Sequence, residues 1–224
     1  MSTANLEPVK SILLAPPVAA SQLHALDAVE RSAGFLLLAL TAPVTIFSAA
    51  AIALLSGRSP LVAHLRIGRN DEPFWMWKLR TMWGKGEATR RERGWIEYIV
   101  AEPNAEGKQA ADSRVTSRFA AFCRRHSIDE LPQLWHVARG EMALVGPRPL
   151  TRSELLRHYG AHSRELLSVK PGLTGLWQVS GRSYIRFPQR ALLDLELVCS
   201  LTPRMYLKIV LKTFSALIYG KGAW

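Results

Sequence analysis

From Ala33 to Leu55 the chain runs for 23 residues without a charge, between Arg31 and Arg58. As a helix this run is about 35 Å long, enough to cross the hydrocarbon core of a bilayer. It begins too late and runs too long for a cleaved signal peptide, and the residues before it include Glu7, Asp27 and Glu30. The remaining alternative is a helix buried in a protein core. Arg58, Arg66, Arg69, Lys78 and Arg80 follow on its C-terminal side and place that side in the cytoplasm by the positive-inside rule. The N-terminal flank is nearly neutral and gives no orientation. Pro43 near the middle removes a backbone donor and kinks the helix. The residues permit both a span and a re-entrant hairpin that returns to the side it entered from.

The 224 residues fit one domain with a membrane segment: a leader over 1–32, a membrane-embedded helix over 33–56 and a cytoplasmic domain over 57–224. Lys and Arg number 29 against 18 Asp and Glu, formally +11. Such an excess calls for nucleic acid, anionic lipid or a phosphorylated substrate. Nucleic acid leaves the apolar run unexplained. Cys123 and Cys199 lie far apart without metal or disulfide spacing and read as reduced packing residues.

The fold expected is mainly α with a small β element. A short helical stretch over Ser21–Arg31 follows the break at Pro16-Pro17. Residues 58–83 are basic, with Trp75, Trp77 and Trp83 suggesting a lipid interface. The polar stretch 84–113 carries one expected helix near Arg90–Val100. A helix is expected over Arg114–His126, and another from Ser127. Residues 143–150 read as a loop, because Pro147 and Pro149 flank Arg148, and 169–183 as a turn or short hairpin. Leu192–Tyr219 reads as helix interrupted at Pro203. In it Leu207, Val210, Leu211, Phe214 and Leu217 form a stripe bordered by Lys208 and Lys212. That stripe suits either the membrane plane or the protein core.

The chemistry is concentrated in Ser127-Ile128-Asp129-Glu130-Leu131-Pro132-Gln133. Ser127 and Glu130 have capping-box spacing, and both acids suit a helix start. Around them, however, stand Arg114, Arg118, Arg124, Arg125 and Arg148. Two acids among guanidinium groups suit phosphoryl transfer. One carboxylate attacks phosphorus, the other holds a divalent cation such as Mg²⁺, and the arginines match phosphate oxygens. Lys78 and Arg80, two apart, share a side if extended. Arg182 sits in a turn. His24, His64 and His126 look like surface positions, and no P-loop or Gly-x-Gly-x-x-Gly is present.

Taken in order, several segments resemble one family. They are Lys78-Leu79-Arg80-Thr81-Met82, Arg124 five before Asp129, Asp129 to Leu134, Gly140-Glu141-Met142, Leu144 to Pro149, Lys170 to Gly175, and Gln178 to Arg182. The family is that of the bacterial sugar transferases, the monotopic phosphoglycosyl transferases that start exopolysaccharide and lipid-linked glycan assembly. The resemblance implies a helix-rich cytoplasmic domain on a re-entrant helix broken at a proline, here Pro43, at the bacterial inner membrane. It implies a UDP-sugar and undecaprenyl phosphate as substrates, in a membrane-lipid setting. The implied reaction is ping-pong: Asp129 takes the sugar phosphate and releases UMP, and polyprenyl phosphate then accepts it. By the same resemblance Glu130 binds Mg²⁺, and Lys78, Arg80, Arg124, Pro147, Arg148, Pro149, Gln178, Arg182 and Asp194 form the substrate site.

The chain departs from the family pattern in places. Ala42 precedes the breaking proline where Ser is usual, His136 and Ala143 replace Asn and Ser, and residues 114–123 carry an extra position. A family acid near the C-terminus falls on Tyr206. This last change keeps a second reading open, a degenerate relative that binds or scaffolds without turnover. The residues do not identify the sugar, the glycan built, or whether the chain is a homo-oligomer.

Overall fold

The computed structural model describes residues 20–83, 94–100, 115, 117–181 and 184–219. Within them the architecture is α+β, mostly helical with two small sheets. The expected helical start near Ser21 and the apolar run form one uninterrupted helix, α1 (Ala20–Ser56), with Pro43 inside it. Pro43 cannot donate to the preceding turn. On either side of it Thr41 Oγ1 donates to the Leu37 carbonyl (2.7 Å) and Thr45 Oγ1 to the Thr41 carbonyl (3.0 Å). Hydroxyls bonded back in this way bend helices.

Both halves of α1 lie against the same domain. On the N-terminal half Asp27 pairs with Lys170, Arg31 Nε donates to the Ala138 carbonyl (3.3 Å), and Glu30 is buried. Gly34 fits because a Cβ there would meet the Ala138 backbone. On the C-terminal half Ile52 and Ser48 are buried, and Phe47 meets the Phe119 ring edge-on at 6.5 Å. Between and beside these contacts Phe35, Leu36, Leu40, Val44, Ile46, Phe47 and Leu54 are exposed. So large an uncovered apolar face is not that of a core helix.

Most of the basic, Trp-rich stretch is a β-hairpin, a pairing not expected from the sequence. β1 (Leu61–Ile67) and β2 (Pro73–Leu79) pair antiparallel from Leu61↔Leu79 to Ile67↔Pro73. Asn70 and Asp71 turn it with positive φ, which short polar side chains tolerate. β3 (Ile96–Ile99) joins β1 in parallel, giving the order β2-β1-β3. The helix expected near Arg90–Val100 is therefore a strand over its described end. Its earlier part lies outside the described residues.

α2 (Arg118–Arg125) starts later than expected because Ser117 caps it, its side chain accepting from the Phe119 N–H (3.2 Å). After it come a 3₁₀ turn (Ile128–Gln133) and α3 (Leu134–Arg139). β4 (Ala143–Val145) replaces the first part of the expected loop, and α4 (Arg152–His158) opens with a Thr151/Glu154 capping box. A short α5 (Ser163–Leu166) follows. The expected hairpin over 169–183 is instead β5 (Gly172–Thr174), parallel to β4, and α6 (Leu176–Ser180). Parallel pairing needs close backbone approach here: a Cβ on Gly172 would collide with the Gly146 nitrogen.

Two helices close the chain, α7 (Phe187–Ser200) and α8 (Pro203–Tyr219), separated at Pro203 as expected. Pro at a helix start gives up no hydrogen bond. α8 turns Ile209 into the core with Val145 and Leu197. Leu207, Leu211 and Phe214 are exposed, beside exposed Lys208 and Lys212. Most of the expected stripe thus faces outward, in the manner of an interfacial helix.

Candidate active site

The acid pair sits on the 3₁₀ turn. Pro132 carries no N–H and cannot continue an α-helical ladder from this turn, so the segment winds tightly. Ser127 does not cap it with its side chain, as its spacing with Glu130 suggested. It adopts φ 55°, ψ 25°, and its carbonyl accepts from the Glu130 N–H (3.0 Å). A non-glycine residue held left-handed two residues before Asp129 stores local strain of the kind found at functional sites.

The two acids point to different surroundings. Asp129 is only 3 % exposed and lies close enough to Cys123 for its charge, after burial, to help push that thiol up to about 11. Glu130 lines a cavity of about 290 Å³, and its Oε1 accepts from Lys78 Nζ at 2.7 Å across the sheet edge. The polar lining of the cavity includes Glu130, Arg148, Glu154, Gln178 and Arg190. Its apolar lining includes Leu37 of α1, Leu131 of the 3₁₀ turn, Leu144, Leu173, and Val210 and Phe214 of α8.

Arg148 is aimed by its turn. The Pro147 carbonyl accepts from the Gly172 N–H (2.8 Å), Pro147 and Pro149 are buried, and the Arg148 guanidinium lies 5.8 Å from the Trp177 ring centre. The surroundings are strongly cationic. Burial, joined by the charges of Arg66, Lys78, Arg148 and Arg80, lowers His64 to about 4. Burial and then Arg148 lower Arg66 to about 10. His64 is thus half-buried among cations rather than a surface position.

The other expected site residues fall in distinct places. Gln178 lines the cavity, its Nε2 donating to the Leu173 carbonyl (3.3 Å). Arg80 is buried, donating through Nε to the Ser59 carbonyl (2.8 Å) and pairing with Glu97, so it braces the β-sheet instead of facing the cavity. Arg124 is buried in the last turn of α2. Asp194 is 1 % exposed beneath the arginines and accepts from the Tyr159 hydroxyl (2.8 Å). Burial pushes its carboxyl up to about 7, against Tyr159, the Arg148 N–H and the charges of Arg148 and Arg190. Arg182 lies outside the described residues. Trp177, Arg190 and Glu154 also line the cavity, and no sequence signal marked them.

Several motif residues turn out to support the site. Trp77 N–H donates to His136 Nε2 (3.1 Å), so the proton of a neutral imidazole lies on Nδ1, which meets Glu141 Oε2 at 2.6 Å. Burial lowers the pKa of this histidine despite Glu141. Gly140 ends α3 with φ 82°, and Met142 packs with Met76 and Val137. Tyr206 donates to Glu30 Oε1 at 2.8 Å, and the same oxygen accepts from the Leu144 N–H at 3.0 Å.

Among the described residues no group of three or more His, Cys, Asp or Glu could hold a metal on its own. Mg²⁺ commonly uses one or two carboxylates and completes its shell with substrate phosphate and water. The carboxylate of Glu130, on the cavity lining, fits that mode rather than a preformed cage.

Comparison with known proteins shows which proteins this chain is similar to. The exopolysaccharide production protein ExoY of Rhizobium meliloti (strain 1021) is 35 % identical over 209 residues, covering 93 % of this chain and 90 % of that protein. A Caulobacter vibrioides UDP-glucose:undecaprenyl-phosphate glucose-1-phosphate transferase is 37 % identical, over 86 % of this chain and 69 % of its own. A UDP-galactose-lipid carrier transferase of Erwinia amylovora is also 37 % identical over 75 % of this chain, which spans about a third (35 %) of that longer protein. The family model described as bacterial sugar transferase matches residues 22–220, so it takes in the helix, both sheets and the acid-bearing turn together. The chain belongs to the bacterial sugar transferase family.

Proposed function

We propose that this chain is a polyprenyl-phosphate sugar-1-phosphate transferase. It moves a sugar-1-phosphate from a UDP-sugar to undecaprenyl phosphate at an early membrane step of exopolysaccharide or other surface-glycan synthesis. The observation that carries this reading is the cavity. It joins a carboxylate, Glu130, and a guanidinium, Arg148, to apolar side chains from α1 and α8, the two helices with exposed apolar faces. A phosphate attached to a long hydrocarbon fits such a mixed lining, as does a diphosphate.

In the mechanism, a carboxylate oxygen of Asp129 attacks the sugar-bearing phosphorus. The bond from that phosphorus to the UMP oxygen breaks, and UMP leaves with the electron pair. A polyprenyl phosphate oxygen then attacks the same phosphorus and frees the carboxylate. Lys78 and Arg148 bind phosphate oxygens and orient them, with Gln178 beside them. Glu130 would hold Mg²⁺, which would supply neutralisation of phosphate charge. The apolar residues of the lining limit the access of water to the cavity.

A second reading exchanges the roles of the two acids. Glu130 lines the cavity while Asp129 is buried toward Cys123, which favours Glu130 as the attacking group. The cytoplasmic domain is held at the inner membrane by α1 as a re-entrant helix. Contacts from Asp27–Gly34 and from Phe47–Ile52 to one domain favour a return to the same face over a crossing.

Protein held in nanodiscs, given Mg²⁺, undecaprenyl phosphate and a panel of UDP-sugars, tests the activity. UMP release with one donor, lost in Asp129→Asn, is the expected result. UDP release, or no release with any donor, contradicts it.

A further inference from the structure

We propose that Arg190 is a phosphate-binding residue that acts with Arg148 as a pair of guanidiniums mounted on the Trp177 indole. The inference rests on the transferase reading and adds a residue that the motifs of the sequence do not mark. Its ligand is a phosphate group, from either the nucleotide-sugar diphosphate or the polyprenyl phosphate.

The geometry is specific. Arg190, Arg148 and Trp177 all line the cavity. The guanidinium carbon of Arg190 stands 4.6 Å from the Trp177 ring centre, and that of Arg148 stands 5.8 Å from the same ring. Arg190 Nε donates to the Ile185 carbonyl at 2.7 Å, and the Phe187 ring lies 5.6 Å from the guanidinium. The fork is therefore clamped before any ligand arrives, which spares ordering cost on binding.

The charge balance asks for an anion. Two guanidiniums share one indole, and Arg66 lies close enough to feel Arg148. Burial, then the charge of Arg148, lowers the pKa of Arg190, so the two cations repel. The nearby carboxylates, Asp194 and Glu154, offset part of this repulsion and are also held elsewhere. Glu154 Oε2 accepts from the Thr151 N–H (2.8 Å) in the capping box, and Asp194 is buried against Tyr159. A dianionic phosphate relieves this repulsion and meets two planar forks. A purely structural arginine that tied Ile185 to Trp177 would not need a second cation on the same ring.

Binding of two probes to nanodisc-held protein tests this without turnover. UDP reports the diphosphate source and farnesyl phosphate the lipid-phosphate source. Wild type, Arg190→Gln and Arg190→Lys are compared, with melting temperature as a control. Glutamine should weaken at least one probe tenfold or more, and lysine should recover part of the loss by restoring charge. Weakening of UDP alone assigns Arg190 to the donor, and of farnesyl phosphate alone to the acceptor. Affinities within twofold of wild type for both probes overturn the proposal, as does a wild type that binds neither. Equal weakening by glutamine and lysine, in step with a lowered melting temperature, also overturns it and leaves a structural arginine. Failure of the transferase reading shows separately, as absent UMP release from protein that binds its probes.

Discussion

The hydroxyl of Tyr206 donates to the Glu30 carboxylate at 2.8 Å, tying α8 to α1 where the same carboxylate holds the backbone of β4. Tyr206 stands where the family pattern has an acid. In this chain the acid of that neighbourhood is on the opposite helix, and the tyrosine supplies the donor it needs. The departure thus has a local partner in the fold.

Tyr206→Phe removes one hydrogen bond to a charged acceptor and should cost about 1–2 kcal/mol, or a few degrees in Tm. Tyr206→Asp should be worse, since it sets a second carboxylate against Glu30. Its deficit should be larger at pH 8 than at pH 5, because burial raises the Glu30 pKa and rising pH favours the charged pair. Thermal unfolding of the three proteins at both pH values checks this. An aspartate variant as stable as wild type at pH 8 would contradict it.

The Lys78–Glu130 pair is mostly buried, with side-chain exposures of 13 % and 17 %. Lys78→Met removes the Lys78 cation from Glu130 and should lower kcat/KM roughly 10- to 100-fold, about 1.5–3 kcal/mol. Steady-state kinetics with the accepted donor measure it. A change below twofold would show that Lys78 only fills space.

Asp194 gives a pH prediction. Its carboxyl keeps a proton in the folded state up to about 7, whereas an unfolded aspartate releases it near 4. Between those values the folded state binds more protons, so this group's contribution to stability is full below the unfolded value and is lost as pH rises through about 7. Asp194→Asn keeps an acceptor for Tyr159 and should flatten that part of the profile. Chemical denaturation from pH 4 to pH 8 checks it, and parallel profiles would rule the effect out.

Much of this fold was legible in local pattern. The uncharged run, the break at Pro203 and the position of the acid pair needed only neighbouring residues. The β1–β2 hairpin was not read, because Trp75 and Trp77 carry the same signature at a lipid interface and in a half-buried strand. β3 pairs Ile96 with Leu61, a contact no short window contains. Gly172 announced a turn, and only the Gly146 backbone against it shows close parallel strands. In the site, Glu130 and Arg148 were marked by their segments. Arg190 sits alone on a helix and gains meaning only where Trp177 brings it beside Arg148.

The re-entrant topology predicts that both ends of the apolar run face the cytoplasm. Cysteines introduced singly at Ser32 and Arg58 should react with an impermeant thiol reagent in inverted membrane vesicles, and neither should react from outside intact cells. Labelling from opposite faces would establish a span.

The central claim is a carboxylate that carries the sugar phosphate between donor and acceptor. The most direct test incubates the protein with the accepted UDP-sugar in the absence of polyprenyl phosphate, quenches it, and locates the adduct by peptide mass spectrometry. The account predicts one sugar-phosphate on Asp129, formed with one equivalent of UMP and discharged when undecaprenyl phosphate is added. An adduct on Glu130 would exchange the roles of the two acids. No adduct alongside continued product formation would contradict the covalent mechanism.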